Sequence, residues 1–220
     1  MRIAVLSDIR GFLAPLNSAL DDIRSQNVDQ IVCLGDIVGV GPDSTSCIDR
    51  LRSADPMACI TGDWEQYVLQ QLATDELHVK SRAAVEVVRS RLLFPSGDEA
   101  GSSRLDFLAS LPTSLSIGDV LFVHGSPRQT DEYIFPEDAY NTRKLEKLFA
   151  GFPKICVHGQ APIRSVIYED GEHFEVKGPE RHQLRPNVKV LVGVGSVTLA
   201  AAQGNSLGYA IVEDDAVEFR

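Results

Sequence analysis

The sequence predicts an α/β fold in which two sheets pack together with helices outside, a layered sandwich. Two observations carry this. The N-terminal part alternates short apolar, β-branched runs with segments of helical spacing, and from residue 114 onward short strands dominate. At 220 residues and 44% hydrophobic, the chain is long enough to bury such a core, and its composition marks neither disorder nor a disulfide scaffold.

Residues 2–7 form the first apolar run. Residues 14–26 place Leu16, Leu20 and Ile23 at helical spacing, and residues 31–34 (IVCL) return to strand, which makes a β-α-β unit with parallel strands. A helix over 44–53 and a strand at 57–60 repeat the unit. Helices are expected at 64–73, 80–93 and 103–111, with a soft loop, FPSGDEAGSS, between the last two. Strands follow at 119–123, 154–157, 163–168, 172–177, 188–192 and 208–213, with one helix near 138–150. No linker or internal repeat divides the chain, so residues 1–220 read as a single domain with a helical, cap-like segment at about 64–111.

The balance of 31 acidic against 21 basic residues gives a net charge of −10, with no lysine or arginine cluster. That argues against an extended nucleic-acid surface and leaves room only for a local cationic pocket. No apolar stretch approaches the length of a membrane span, and the N-terminus meets Asp8 too early for a signal sequence. Cys33, Cys47, Cys59 and Cys156 form no C-x-x-C pair, which fits reduced, buried thiols in a cytoplasmic protein.

Polar residues gather where strands end. SDIRG (7–11), LGDIVGVGPD (34–43), ITGDWEQ (60–66), FVHGSPR (122–128) and CVHGQAP (156–162) each follow an apolar run and turn at once. Ligands bind beyond the carboxyl ends of strands in open α/β sheets, so Asp8, Asp36, Asp63, His124 and His158 are expected to converge on one crevice. Any one of them alone is more often a turn, a cap or a structural histidine; the ordered series is the argument. Carboxylates with imidazoles suit a divalent ion such as Mn, Fe or Zn. His78, His173 and His182 fall outside the pattern and read as surface or structural residues.

The same series, with EYIFPEDA behind HGSPR and GVGSV at 193–197, resembles the calcineurin-like metallophosphoesterases, in particular their small phosphodiesterase-type branch. The resemblance implies a four-layer αββα sandwich and hydrolysis of phosphate esters at a site of two metals. It implies ligands at Asp8, Asp36, His124 and His158, and at Asp63 where the family has asparagine. It also exposes departures. Arg10 and Gln160 stand at positions where the family has metal-binding histidines, and Trp64 stands where a histidine assists the leaving group.

The resemblance thus leaves one metal position complete, of Asp36, Asp63, His124 and His158, so one divalent ion is expected, with Arg10 in place of the other beside Asp8 and Asp36. A guanidinium is always protonated and forks onto carboxylates. Arg10 and Arg128 are the candidate partners for phosphate oxygens, and Glu65 is the acid adjacent to Trp64. Two readings stay open: a metal-dependent phosphoesterase acting on a small phosphodiester or activated monoester, and a non-catalytic metal- or nucleotide-binding protein on the same scaffold. The oligomeric state has no signature in the sequence.

Overall fold

The computed structural model describes residues 1–93, 100–204 and 207–220. β1 (Ile3–Leu6) is buried on both faces, which is why its sequence is continuously apolar rather than alternating. α1 (Leu13–Ile23) buries Leu16, Ala19, Leu20 and Ile23. β2 (Gln30–Cys33), α2 (Ser44–Ser53) and β3 (Ala58–Cys59) complete two β-α-β units, and β1, β2 and β3 are parallel. Their register puts Leu6 beside Cys33 and Cys33 beside Cys59. Asp8, Asp36 and Asp63 thus emerge side by side from one edge of one sheet.

Three helices follow: α3 (Asp63–Val68), α4 (Val79–Leu93) and α5 (Ala100–Ala109). The first is shorter than its expected span because the chain turns at Gln70, which takes a positive φ of 61°. The loop expected at 94–103 lies outside the described residues over 94–99. Val85, Val88 and Leu92 of α4 and Leu108 of α5 join the core beneath α1 and α2. Arg104 forks onto Asp49 of α2 at 2.9 and 2.6 Å, and Arg91 donates to Pro42 O at 2.6 Å.

β4 (Ser114–Ile117) and β5 (Val120–Val123) open the second sheet. The expected helix near 138–150 is two pieces, a 3-10 helix at Pro136–Tyr140 and α6 (Thr142–Phe149), separated at Asn141, whose side chain accepts from Lys144 N. The remaining elements are β6 (Ile155–His158), β7 (Arg164–Tyr168), β8 (His173–Val176), β9 (Glu180–Gln183), β10 (Val190–Gly193), α7 (Val197–Gln203), β11 (Tyr209–Val212) and β12 (Ala216–Phe219). β4, β9, β12 and α7 were not expected. β9 reads ERHQ and lies at a sheet edge, where polar side chains are tolerated and no apolar pattern arises. α7 is marked instead by its ends: the Ser196 side chain accepts from Leu199 N, and Gly204 closes it at a φ of 72°.

The sheets run β3-β2-β1-β11-β12-β9 and β4-β5-β6-β10-β7-β8. Ile3, Val5, Val32, Leu34 and Ile60 of the first meet Phe122, Val157, Val166 and Val192 of the second in a common core. Ala4, Leu6 and Cys33 turn the other way, under α1 and α2, while Cys156, Ile167 and Leu191 pack under α6. The result is the expected αββα layering. In the second sheet Val123, His158 and Gly193 share a register line, so His124 and His158 leave it at one edge. Among the described residues, no helix is long and apolar enough to cross a membrane.

All four cysteines are free and buried. Burial pushes the Cys47 thiol up to about 12 and raises Cys156 as well, while a hydrogen bond with Cys59, then burial, raises Cys33. A thiol-disulfide reagent should therefore leave the folded chain unlabelled at neutral pH and label all four cysteines in guanidinium chloride. Rapid labelling of the native protein would contradict this packing.

Candidate metal centre

The carboxylates come from the first sheet and the imidazoles from the second. Asp8, Arg10, Asp36 and Gln160 all adopt positive φ, at 58°, 50°, 52° and 58°. Such backbone is uncommon outside glycine and concentrates at functional sites. Here it is pinned by hydrogen bonds between the loops, Asp8 N to Gly35 O at 3.2 Å, Arg10 N to Asp36 O at 2.7 Å and Gly41 N to Arg10 O at 2.8 Å. Gly62 permits a close approach: a Cβ there would lie 2.3 Å from Asp36 Oδ1.

Arg10 bridges the two buried aspartates. Its Nη2 donates to Asp8 Oδ1 at 2.6 Å and its Nε to Asp36 Oδ2 at 3.2 Å. Burial works to lower the guanidinium's pKa, but Asp8, Asp36 and Asp63 outweigh it and hold the group above its ordinary value. Burial raises Asp36, reinforced by the charges of Asp63 and Asp8 and opposed by Arg10. Two like charges 4 Å apart repel by about 4 kcal/mol at an effective dielectric near 20, so one guanidinium leaves this trio of carboxylates short of cation. Asp36 Oδ1 also accepts from Trp64 N at 3.1 Å, and Asp8 Oδ2 accepts from Gln160 N at 3.1 Å.

His124 is fully buried, with Nδ1 at 2.7 Å from Leu34 O. A carbonyl needs a donor, so that contact fixes the hydrogen on Nδ1 and turns Nε2 toward the site, the arrangement that prepares histidine as a ligand. His124 Nε2 lies 3.4 Å from Asp36 Oδ1 and 3.1 Å from Gln160 Oε1. His158 is also buried; burial lowers its pKa to about 4, so its ring is neutral at pH 7. Its Nδ1 lies 3.3 Å from Gly159 O, and its Nε2 has no partner among the described residues. Asp63 Oδ1 is likewise buried without a partner, while Oδ2 accepts from Gln160 Nε2 at 2.9 Å.

These donors fit a divalent cation. Asp8, Asp36 and His124 offer ligand atoms that all lie within 4.8 Å of one another. The unpartnered Nε2 of His158 and Oδ1 of Asp63 are donor atoms that such an ion would satisfy. The compact group differs from the expected set of Asp36, Asp63, His124 and His158. Gln160 accounts for part of the difference, because its carboxamide lies between His124 and Asp63.

Three expected reaction residues take other roles. Glu65 is fully buried: Oε2 accepts from Asp36 N and Gly62 N, both at 2.8 Å, and Oε1 from Ile37 N at 2.8 Å and Val38 N at 3.1 Å. Burial raises its pKa against the pull of these donors. The carboxylate ties α3 to the loop carrying Asp36 and has no oxygen left for a leaving group. The Trp64 indole packs in the apolar cluster under α1 and α2, and its backbone serves Asp36. Arg128 pairs with Glu132 at 3.2 Å on its own loop rather than with the central carboxylates.

Sequence reasoning missed Tyr133. Burial, then the charge of Asp63, raises its phenol, with Arg10, Asp36 and Asp8 also felt there, so it keeps its proton close to the cluster. Its ring stacks on Phe135 at 5.6 Å between centroids. The pointer in sequence was the EYIFPEDA segment behind HGSPR, which contains it.

In comparison with known proteins, residues 1–195 match the family model of the calcineurin-like phosphoesterases. The chain is similar to an uncharacterized protein of Methanocaldococcus jannaschii, 28% identical over 221 residues, covering 96% of this chain and 82% of that one. In structure it is similar to a metallophosphoesterase from Sphaerobacter thermophilus, with a TM-score of 0.77 and 28% identity over 100% of this chain and 87% of the other. A cold-active protein-tyrosine phosphatase of a psychrophilic Shewanella shares the fold at 16% identity and a TM-score of 0.51, over 97% of this chain and 75% of that one.

Glu65→Ala would leave its backbone donors buried and unpaired. The expected loss is about 3 kcal/mol of stability, or roughly 6–12 °C in Tm for a chain of this size. Thermal and urea unfolding measure it, with Glu65→Gln intermediate. Loss of hydrolysis in Glu65→Gln at unchanged stability would instead return Glu65 to the chemistry.

Proposed function

Because the chain belongs to the calcineurin-like phosphoesterase family, we propose that it hydrolyses a small phosphodiester or an activated phosphomonoester, using a single divalent ion of the Mn, Fe or Zn type with Arg10 in place of a second. The observation that supports this most directly is the fork of Arg10 across Asp8 and Asp36, which puts a permanent cation between two buried carboxylates. When bound, a divalent ion supplies Lewis-acid charge and makes water a competent nucleophile near neutral pH. Asp36, Asp63, His124 and His158 would hold it, with Asp8 beside them and Leu34 O keeping His124 in the binding tautomer.

Arg10 has a second task. Its side chain is 26% exposed, so N–H groups not engaged by the aspartates can meet phosphate oxygens as charge accumulates on them. Neither Trp64 nor Glu65 is placed to protonate a leaving group. The preferred substrates are therefore esters whose leaving group departs with little help, including nucleotide or aryl diesters. The setting that suits buried, reduced thiols and a small soluble substrate is the cytoplasm.

One observation favours a second reading, a binding protein without turnover. Arg10 and Gln160 already satisfy Asp8, Asp36 and one oxygen of Asp63. The two readings separate experimentally. Metal content by mass spectrometry should give about one Mn, Fe or Zn per chain, and a chromogenic phosphodiester should be cleaved with added Mn, with at least a hundredfold loss in Asp36→Asn, about the scale of one strong electrostatic contact. Activity confined to a variant carrying Arg10→His, Trp64→His and Gln160→His would favour the binding protein.

Arg10→Ala separates the cation's two tasks. It should raise KM and lower kcat at unchanged Mn, and Arg10→Lys should recover only part because an ammonium cannot fork. Unaltered kinetics in Arg10→Ala would remove Arg10 from the reaction.

A further inference from the structure

We propose that Gln160 is a latch on the metal site: its carboxamide spans His124 and Asp63 and must swing aside before both grip an ion. The inference rests on the metal site proposed above and concerns what controls entry to it. Gln160 is 2% exposed, with Oε1 at 3.1 Å from His124 Nε2 and Nε2 at 2.9 Å from Asp63 Oδ2. The side chain thus occupies donor atoms from both sheets at once.

The fit is chemically incomplete, which is what makes it a latch rather than a permanent brace. A carboxamide has one donating and one accepting end. His124 donates through Nδ1 to Leu34 O at 2.7 Å, so in that tautomer its Nε2 presents a lone pair. Asp63 also presents lone pairs. As placed, the NH2 of Gln160 donates to Asp63, leaving its oxygen against His124. A cation placed between the two groups satisfies both. The unpartnered His158 Nε2 and Asp63 Oδ1 gain from the same event.

The backbone of Gln160 is not free to take part. Its N–H donates to Asp8 Oδ2 at 3.1 Å, and its φ is 58°. Opening is therefore a rotation of the side chain alone. A positive φ also guides the test, because glycine and asparagine both accept it, so neither variant adds backbone strain. Gln160→Gly removes the latch. Gln160→Asn keeps a carboxamide one methylene too short to span the same gap.

The experiment uses the full chain, stripped with chelator, titrated with Mn alone by calorimetry and checked by equilibrium dialysis with metal analysis. Parent and variants are compared by the thermal unfolding of the stripped proteins, so that a collapsed variant is recognised. Gln160→Gly should bind Mn about tenfold tighter, the scale of one hydrogen bond to a charged group no longer broken, and should take it up faster. Gln160→Asn should fall between the two and serves alone if the glycine variant does not fold. Equal or weaker binding in a folded variant overturns the latch, weaker binding making Gln160 a ligand. Absence of Mn binding in the parent and both variants would reject the metal site itself, together with the latch.

Discussion

The double ion pair of Arg10 with Asp8 and Asp36 is the interaction on which this site depends. Parallel pairing of β1, β2 and β3 delivers three aspartates to one edge, and none can withdraw without breaking the register that buries Val5, Val32 and Leu34. Their mutual repulsion is thus built into the sheet. A guanidinium held by two carboxylates relieves part of it without any bound ion, which lets the chain fold with its acids in place. A histidine at the same position would offer a lone pair or a titratable charge, and only the cation of Arg10 is unconditional.

Dividing the donors between sheets has a structural consequence. Asp8, Asp36 and Asp63 move with the first sheet, and His124 and His158 with the second. The distance between the two groups is set by the apolar layer where Ile60 and Leu34 meet Phe122, Val157 and Val192. Close-packed interiors transmit a lost methylene as displacement or cavity. Packing in this layer is therefore part of the geometry of the candidate site. Bonds across the gap reinforce it: His124 reaches Leu34 O, and Gln160 N reaches Asp8.

Much of this was legible in the sequence. Buried parallel strands read as apolar runs, and a polar residue directly after such a run must emerge at the sheet's edge, so Asp8, Asp36, His124 and His158 could be placed without coordinates. What the sequence withheld was direction. Glu65 lies three residues after Gly62, and from spacing alone its carboxylate could face the crevice or return to the backbone; it returns, because four buried N–H groups await it there. Gln160 read as a lost ligand, whereas its length lets it bridge two others. β9 was invisible because an edge strand of ERHQ carries charge where a central strand carries apolar side chains.

The strained backbone bears on whether the site is a relic. Left-handed conformations at non-glycine residues cost on the order of 1 kcal/mol or more each, and they persist only where surrounding bonds over-determine them. Asp8, Arg10, Asp36 and Gln160 are all held in this way, and hydrogen bonds tie them to one another. Aspartate tolerates that backbone better than arginine or glutamine does, so the two departures from the family pattern sit where a long side chain is least welcome. Drift alone would favour glycine or asparagine at these positions. Arginine and glutamine instead each engage two of the central residues, Asp8 and Asp36 for one, His124 and Asp63 for the other. These bonds weigh against simple decay of the altered half of the site.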